Sequence, residues 1–80
     1  MAMDRVWAQY RFTTEFFEDM KDGCAGLKLY RAKDGAVEHV ATVTYWDAIG
    51  QFFIETHQTD IPVEIAEDLI AESAATVRTR

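Results

Sequence analysis

The stretch from Ala36 to His57 constrains the fold more than any other part of this sequence. Both of its halves are rich in Val, Thr, Tyr, Phe and Ile, which favour β-strands. Between the halves, Asp47 opens a turn that closes with Gly50, and glycine accepts a left-handed backbone without steric cost. The stretch therefore predicts a β-hairpin.

The loop of this hairpin also predicts its register. With a loop over residues 47–50, Trp46 faces Gln51, and the pairing continues as far as Ala41 with Thr56. A slip by one residue would exchange the faces of the second strand and turn Glu55 and His57 towards the core, so the pattern selects this register. The expected core face carries Val37, His39, Ala41, Val43, Tyr45, Phe52 and Ile54.

A second hairpin is indicated upstream, where an alternating segment over residues 27–32 meets Lys33-Asp34-Gly35. A three-residue loop would place Leu27 and Leu29 on the core face of the first hairpin. A two-residue Asp-Gly loop would send both leucines to the other face. The leucines favour the three-residue loop.

The last third of the chain predicts a helix over residues 62–78, with Pro62 in its first turn and Thr59 or Asp60 as its cap. Its apolar residues recur at helical spacing on one side. They are Val63, Ile65, Ala66, Leu69, Ile70, Ala74 and Val77.

The N-terminal segment is open to two interpretations. Residues 6–12 alternate like a strand, after which Thr13 or Thr14 would cap a short helix that Gly23 closes; a single helix over about residues 4–22 is the alternative. The expected fold is one α+β domain over residues 1–80, with order β-α-β-β-β-α or α-β-β-β-α. Its small antiparallel sheet has three to four strands, including 27–32, 36–46 and 51–57, packed by the C-terminal helix and a short N-terminal one.

Charge and composition narrow the classes of partner. Fourteen acidic and eight basic residues give a net charge of −6, which disfavours direct nucleic-acid or membrane binding and favours a basic protein partner. The sequence has no signal-peptide core or membrane-length apolar run, and its single Cys24 allows no internal disulfide. A cytoplasmic protein is expected.

No catalytic, cofactor or metal site is expected. The predicted register places His39 and His57 on opposite faces, and the sequence contains no phosphate-binding loop, CxxC or HExxH pattern. The acidic pairs on the predicted helices are expected on solvent-facing sides, which do not provide the environment that acid–base catalysis needs. We therefore expect a protein that is not an enzyme.

The second face of the predicted sheet is the first candidate binding surface, because aromatic and β-branched side chains gather there. A small domain gains stability by covering such a face with a partner or with a second copy of itself. The expected function is a small acidic protein-interaction module, either a homodimer or a subunit of a hetero-complex. Its expected partner-binding residues are Tyr30, Val40, Thr42, Trp46 and Phe53.

An acidic stripe on the C-terminal helix is the second candidate. Carboxylates at three- and four-residue spacing lie about 5–6 Å apart, comparable with neighbouring phosphates on a nucleic-acid strand. The stripe consists of Glu64, Glu67, Asp68 and Glu72. The alternative function is therefore an acidic inhibitor or nucleic-acid mimic, of the kind that phages encode, that binds a basic nucleic-acid-handling protein.

Overall fold

The computed structural model of the chain describes residues 3–57 and 59–78. Five strands pair in the order β1-β2-β3-β4-β5 in one antiparallel sheet, and a helix follows them. The α+β class and the antiparallel sheet are confirmed, but the sheet has five strands rather than three or four. In chain order the elements are β1 (Asp4–Trp7), β2 (Tyr10–Asp19), β3 (Cys24–Lys33), β4 (Ala36–Trp46), β5 (Gln51–Thr56) and α1 (Val63–Arg78).

The β4–β5 hairpin has the predicted register. Trp46 pairs with Gln51, and the ladder runs without a break to Ala41 and Thr56. The loop closes through Gly50, which has a φ of 64° and donates its N–H to the Trp46 carbonyl oxygen at 2.8 Å. Turn chemistry and side-chain alternation agree in this hairpin, which is why its register could be predicted.

The β3–β4 loop differs from the prediction. Lys33 pairs with Ala36 across a two-residue loop, in which Asp34 and Gly35 have φ values of 51° and 82°. Two consecutive positive φ angles are the geometry of a tight hairpin turn that matches the twist of its strands, and Asp-Gly suits it. The predicted three-residue loop is therefore wrong.

A β-bulge explains why the leucines still face the core. Tyr30 pairs with His39 but Leu29 pairs with Ala41, so Val40 is an extra residue in β4. The bulge reverses the alternation of β4 beyond it. Val40 consequently turns towards α1 and is fully buried, whereas His39 turns to the opposite face and is exposed. Both assignments reverse the sequence-based expectation.

The predicted N-terminal helix is wrong as well, because residues 10–19 form β2, and α1 is the only helix within residues 3–57 and 59–78. β2 pairs on both sides, with β1 and with β3. Its side chains alternate between the sheet faces: Phe12 is buried under α1, while Phe17 lies on the opposite face next to Lys28. Strand pairing along both edges outweighs the helical tendency of its acidic residues.

Helix α1 lies across β3 and β4 and confirms the predicted C-terminal helix. The Ala66 N–H donates to the Pro62 carbonyl oxygen at 3.0 Å, so Pro62 is the N-cap residue directly before Val63. The prediction that Thr59 or Asp60 caps the helix is therefore wrong. Ile65, Leu69 and Ser73 are fully buried, and the Ser73 hydroxyl donates to the Leu69 carbonyl oxygen at 2.7 Å. The main core consists of Phe12, Leu27, Leu29, Val40, Ala41, Val43, Ile65 and Leu69.

Candidate functional site

The sheet face turned away from α1, here called the open face, carries four of the five residues expected on the first binding surface. They are Tyr30, Thr42, Trp46 and Phe53, of which Trp46 and Phe53 are 37% and 52% exposed. The fifth residue, Val40, lies in the core because of the bulge. No described helix covers this face, so the aromatic side chains are available at the surface.

The bulge also brings the two histidines together, contrary to the expectation that they are separated. The ring centroids of His39 and His57 are 4.5 Å apart. The Thr42 hydroxyl oxygen lies between them, 2.8 Å from Nε2 of His39 and 3.4 Å from Nε2 of His57. Glu55 adds a carboxylate oxygen 3.9 Å from Nε2 of His57. The middle of the open face is therefore a polar cluster.

Tyr30 extends this cluster towards β2. Its ring centroid is 5.2 Å from that of His39, and its hydroxyl donates to Oε1 of Glu15 at 3.2 Å. Burial raises the pKa of the Tyr30 hydroxyl, and the charge of Glu15 and its hydrogen bond raise it further. Tyr30 thus remains a neutral donor at physiological pH, and the open face alternates polar and aromatic groups.

Most of the acidic stripe on α1 bonds to the sheet. Nη2 of Arg5 is 2.7 Å from Oε2 of Glu64, and Nη1 of the same side chain pairs with Asp68. The Thr14 hydroxyl donates to Oε2 of Glu72 at 2.7 Å. Glu67 lies on the exposed side of the helix. Three of the four carboxylates therefore fix α1 to β1 and β2, and Arg5 offsets part of their charge.

A partly uncovered apolar surface lies at the β5 edge of the sheet. α1 rests over β3 and β4, so the α1 side of β5 projects beyond it. Phe52, Ile54 and Ile70 are 42%, 51% and 55% exposed, and with Val43, Phe53 and Ala74 they line a groove of about 230 Å³. This set of six residues is named the edge groove. It joins an unpaired strand edge to an almost wholly apolar hollow.

Sequence reasoning missed the edge groove because it assigned Phe52 and Ile54 to the covered core. One signal was present in the helix. The buried residues of α1 follow a four-residue spacing from Ile65 through Leu69 and Ser73 to Val77. Ile70 falls off that narrow stripe, which indicates an apolar side chain beyond the width of the core.

In the part of the chain that the structure describes, no group of three or more His, Cys, Asp or Glu side chains is placed to hold a metal ion. No helix among the same residues has the length and apolar character needed to span a membrane. No family model matches the chain, and no curated protein or solved structure matches it significantly. Function is therefore inferred from the geometry of the surface.

Proposed function

We propose that this protein is a non-enzymatic interaction module that binds an extended segment of a protein partner along β5. The observation that carries the proposal is the edge groove beside an open strand. β5 is the last strand of the sheet, and all six of its residues are exposed. An edge strand presents unpaired N–H and C=O groups, which are a template for another chain.

Strand addition would use the two parts of this surface together. The unpaired backbone groups of β5 supply hydrogen bonds to any extended segment, and pockets for alternate side chains supply specificity. Since side chains alternate along a strand, every second residue of the ligand would enter the edge groove between Ile54 and Ile70. The intervening residues would lie over Phe53 on the open face.

The energetic gain comes mainly from three half-exposed apolar side chains. Complete burial of one large apolar side chain contributes about 1.5–3 kcal/mol, so covering the exposed half of Phe52, Ile54 and Ile70 contributes roughly 1 kcal/mol each. Association costs on the order of 4–15 kcal/mol in lost translational and rotational freedom. Backbone hydrogen bonds and a matching ligand side chain are therefore needed for stable binding.

A second copy of the chain meets these requirements. A two-fold axis normal to the sheet at Phe53 would pair two β5 strands antiparallel and keep both helices on one side. Phe52 of each copy would then face Ile54 of the other, which is a favourable apolar cross-strand pair. Glu55 would face Gln51, so the pairing brings no like charges together. We therefore include the homodimer among the proposed complexes.

The test uses one substitution on each edge strand. Ile54→Lys places a charge in the edge groove, whereas Val6→Lys places the same charge on β1 at a residue that is 70% exposed. We expect sedimentation velocity of the wild-type chain to detect a dimer at micromolar concentration, and Ile54→Lys alone to remove it. Where the wild-type chain is monomeric, selection from an extended-peptide library should return ligands that shift the β5 amides in NMR spectra.

The proposal fails if both substitutions weaken association equally, or if a monomeric chain binds no peptide along β5. The salt dependence of the association rate distinguishes binding through the edge groove from the acidic-inhibitor alternative. Attachment through the stripe on α1 would make the association rate fall steeply between low and physiological salt, because charge would steer the encounter. Attachment through the edge groove would change little.

A further inference from the structure

A larger cavity lies on the α1 side of the sheet, near the residue at which the helix begins. It has a volume of about 490 Å³ and is lined by Trp7, Tyr10, Phe12, Arg31, Ile61 and Pro62. Tyr10 and Arg31 also line a neighbouring hollow of about 390 Å³, together with Lys33 and Glu38. Volumes of roughly 300–1,000 Å³ are typical of sites for small ligands.

Aromatic side chains form one wall of this cavity. Trp7 and Tyr10 are paired across the β1–β2 hairpin, and the ring centroid of Tyr10 is 6.3 Å from that of Phe12. Phe12 is held in the core, being only 1% exposed, whereas Trp7 is 37% exposed. The wall is therefore anchored on its inner side and accessible on its outer side, which suits a planar ring.

Two cationic side chains lie close to the Tyr10 ring of this wall. The guanidinium carbon of Arg31 lies 4.6 Å from the Tyr10 ring centroid, and the Lys33 ammonium lies 5.7 Å from the same centroid. The Arg31 side chain is only 17% exposed, so its charge is partly shielded from bulk water. Charged donors at the end of an aromatic surface are suited to an anionic group.

Two carboxylates also line this region and limit where an anion can bind. Nε of Arg31 donates to Oε1 of Glu38 at 3.1 Å, and Nη2 donates to the same oxygen, so the Arg31 and Glu38 charges offset each other. Asp60 is exposed and borders the cavity where α1 begins, whereas Lys33 borders the hollow beyond Tyr10 and not the cavity itself. The favourable end for a negative group is therefore at Lys33.

We propose that this cavity binds a small molecule made of an aromatic ring and one anionic group, either a carboxylate or a phosphate monoester. The ring would lie against Trp7 and Tyr10, and the anion would contact Lys33 and Arg31. Because the chain carries a net charge of −6, its overall field opposes anions, and recognition depends on these short-range contacts. The cavity is lined by other residues than the edge groove, so this inference does not depend on the proposed function.

The experiment titrates the full chain with four probes while NMR follows its backbone amides. Phenyl phosphate and benzoate carry both features, benzyl alcohol carries the ring alone, and inorganic phosphate carries the charge alone. We expect the first two to shift the amides of residues 7–12 and 31–33 but not those of β5. The stronger of the two identifies the anion. Each single-feature probe should bind about tenfold more weakly, as loss of one charge-assisted or aromatic contact predicts.

A matched pair of lysines provides the control. The Lys28 ammonium lies 5.7 Å from the Phe17 ring centroid on the open face, the same arrangement as Lys33 with Tyr10. Lys33→Gln should weaken binding of the preferred probe about tenfold, Lys33→Arg should restore it, and Lys28→Gln should leave it unchanged. Equal effects of Lys28→Gln and Lys33→Gln would overturn the inference. So would equal binding of benzyl alcohol, or the absence of shifts at residues 7–12.

Discussion

Gly26 of β3 lies so close to β4 that a Cβ atom at this position would be 1.8 Å from the carbonyl oxygen of Val43. Such a separation is far shorter than any non-bonded contact, and the atom that it meets belongs to the backbone. The glycines with positive φ are Gly23, Gly35 and Gly50, so Gly26 is required for space rather than for backbone conformation. The close approach of β3 and β4 therefore requires a residue without a side chain at Gly26.

Gly26→Ala should destabilise the fold by at least about 2 kcal/mol, because β3 and β4 would have to separate beneath α1. Gly35→Ala is the matched control. Nothing lies within 4 Å of a Cβ at Gly35, so a clash contributes nothing there. Its φ of 82° disfavours a residue with a Cβ, and this backbone effect alone should lower stability by about 1–2 kcal/mol. Urea unfolding of both variants provides the comparison. A smaller effect at Gly26 than at Gly35 would contradict the close approach.

The bulge predicts unequal effects for two valines of β4. Val40→Asp should cost more than about 3 kcal/mol, because Val40 is fully buried and the new carboxylate would lack a partner. Val37→Asp should change stability by no more than about 0.5 kcal/mol, since Val37 is 67% exposed. Denaturant midpoints measure both. If the two variants proved equally stable, β4 would lack the bulge.

The β1–β2 turn contains a strained alanine. Ala8 has a φ of 52°, which disfavours any residue with a Cβ, so Ala8→Gly should raise stability by roughly 0.5–1 kcal/mol after the entropic effect of glycine is subtracted. The same substitution at Ala75, an exposed residue of α1, should lower stability by about 1 kcal/mol. Thermal unfolding measures the two shifts. A shift of the same sign at both positions would rule out strain at Ala8.

The ion pairs of Arg5 attach α1 to the edge strand β1. Arg5→Gln should lower stability by about 0.5–1 kcal/mol in low salt, because the pairs with Glu64 and Asp68 are partly exposed. High salt should reduce this loss, since it screens exposed charges. Glu67→Gln, on the exposed side of the same helix, is the control and should have little effect. A loss that is independent of salt would mean that Arg5 acts through packing instead.

The raised pKa of Tyr30 predicts that the stability of the fold depends on pH in the alkaline range. Because its pKa is raised by burial and by Glu15, the folded chain holds this proton more tightly than the unfolded chain does. The stabilisation is fully present below the ordinary tyrosine pKa and is lost as pH rises through the folded value. Glu15→Gln should lower the Tyr30 pKa measured by NMR of labelled tyrosine, whereas Glu67→Gln should leave it in place. An unchanged pKa in Glu15→Gln would refute the role of that carboxylate.

Local sequence predicted the elements whose own residues agree on one geometry. The β4–β5 hairpin combines a loop ending in Gly50 with β-favouring residues in both strands, and α1 combines Pro62 with helical spacing of apolar residues. β2 was different because adjacent Phe16 and Phe17 suit either a helix or a strand with both faces in contact. Whether these residues form a helix or a strand depends on their pairing with β1 and β3, and the residues of β2 alone do not reveal that pairing.

The bulge limited what could be predicted about the candidate site. Alternation over residues 37–43 fits either face equally well, and the choice depends on the Asp34-Gly35 loop together with burial of Leu29. One extra residue moved Val40 off the expected binding surface and brought His39 beside His57. The edge groove escaped prediction for a different reason, because the position of α1 across the sheet is set by tertiary packing.

Each pairing in the sheet joins strands that follow one another along the chain. Only short loops must close to form it, so the loss of chain entropy before each ladder forms is small. The hairpins can form one after another, whereas α1 reaches back to β1 through the Arg5–Asp68 pair, which spans 63 residues of sequence. We therefore expect a chain of low contact order that folds quickly for a sheet protein, with docking of α1 as the step that fixes the packing of the core.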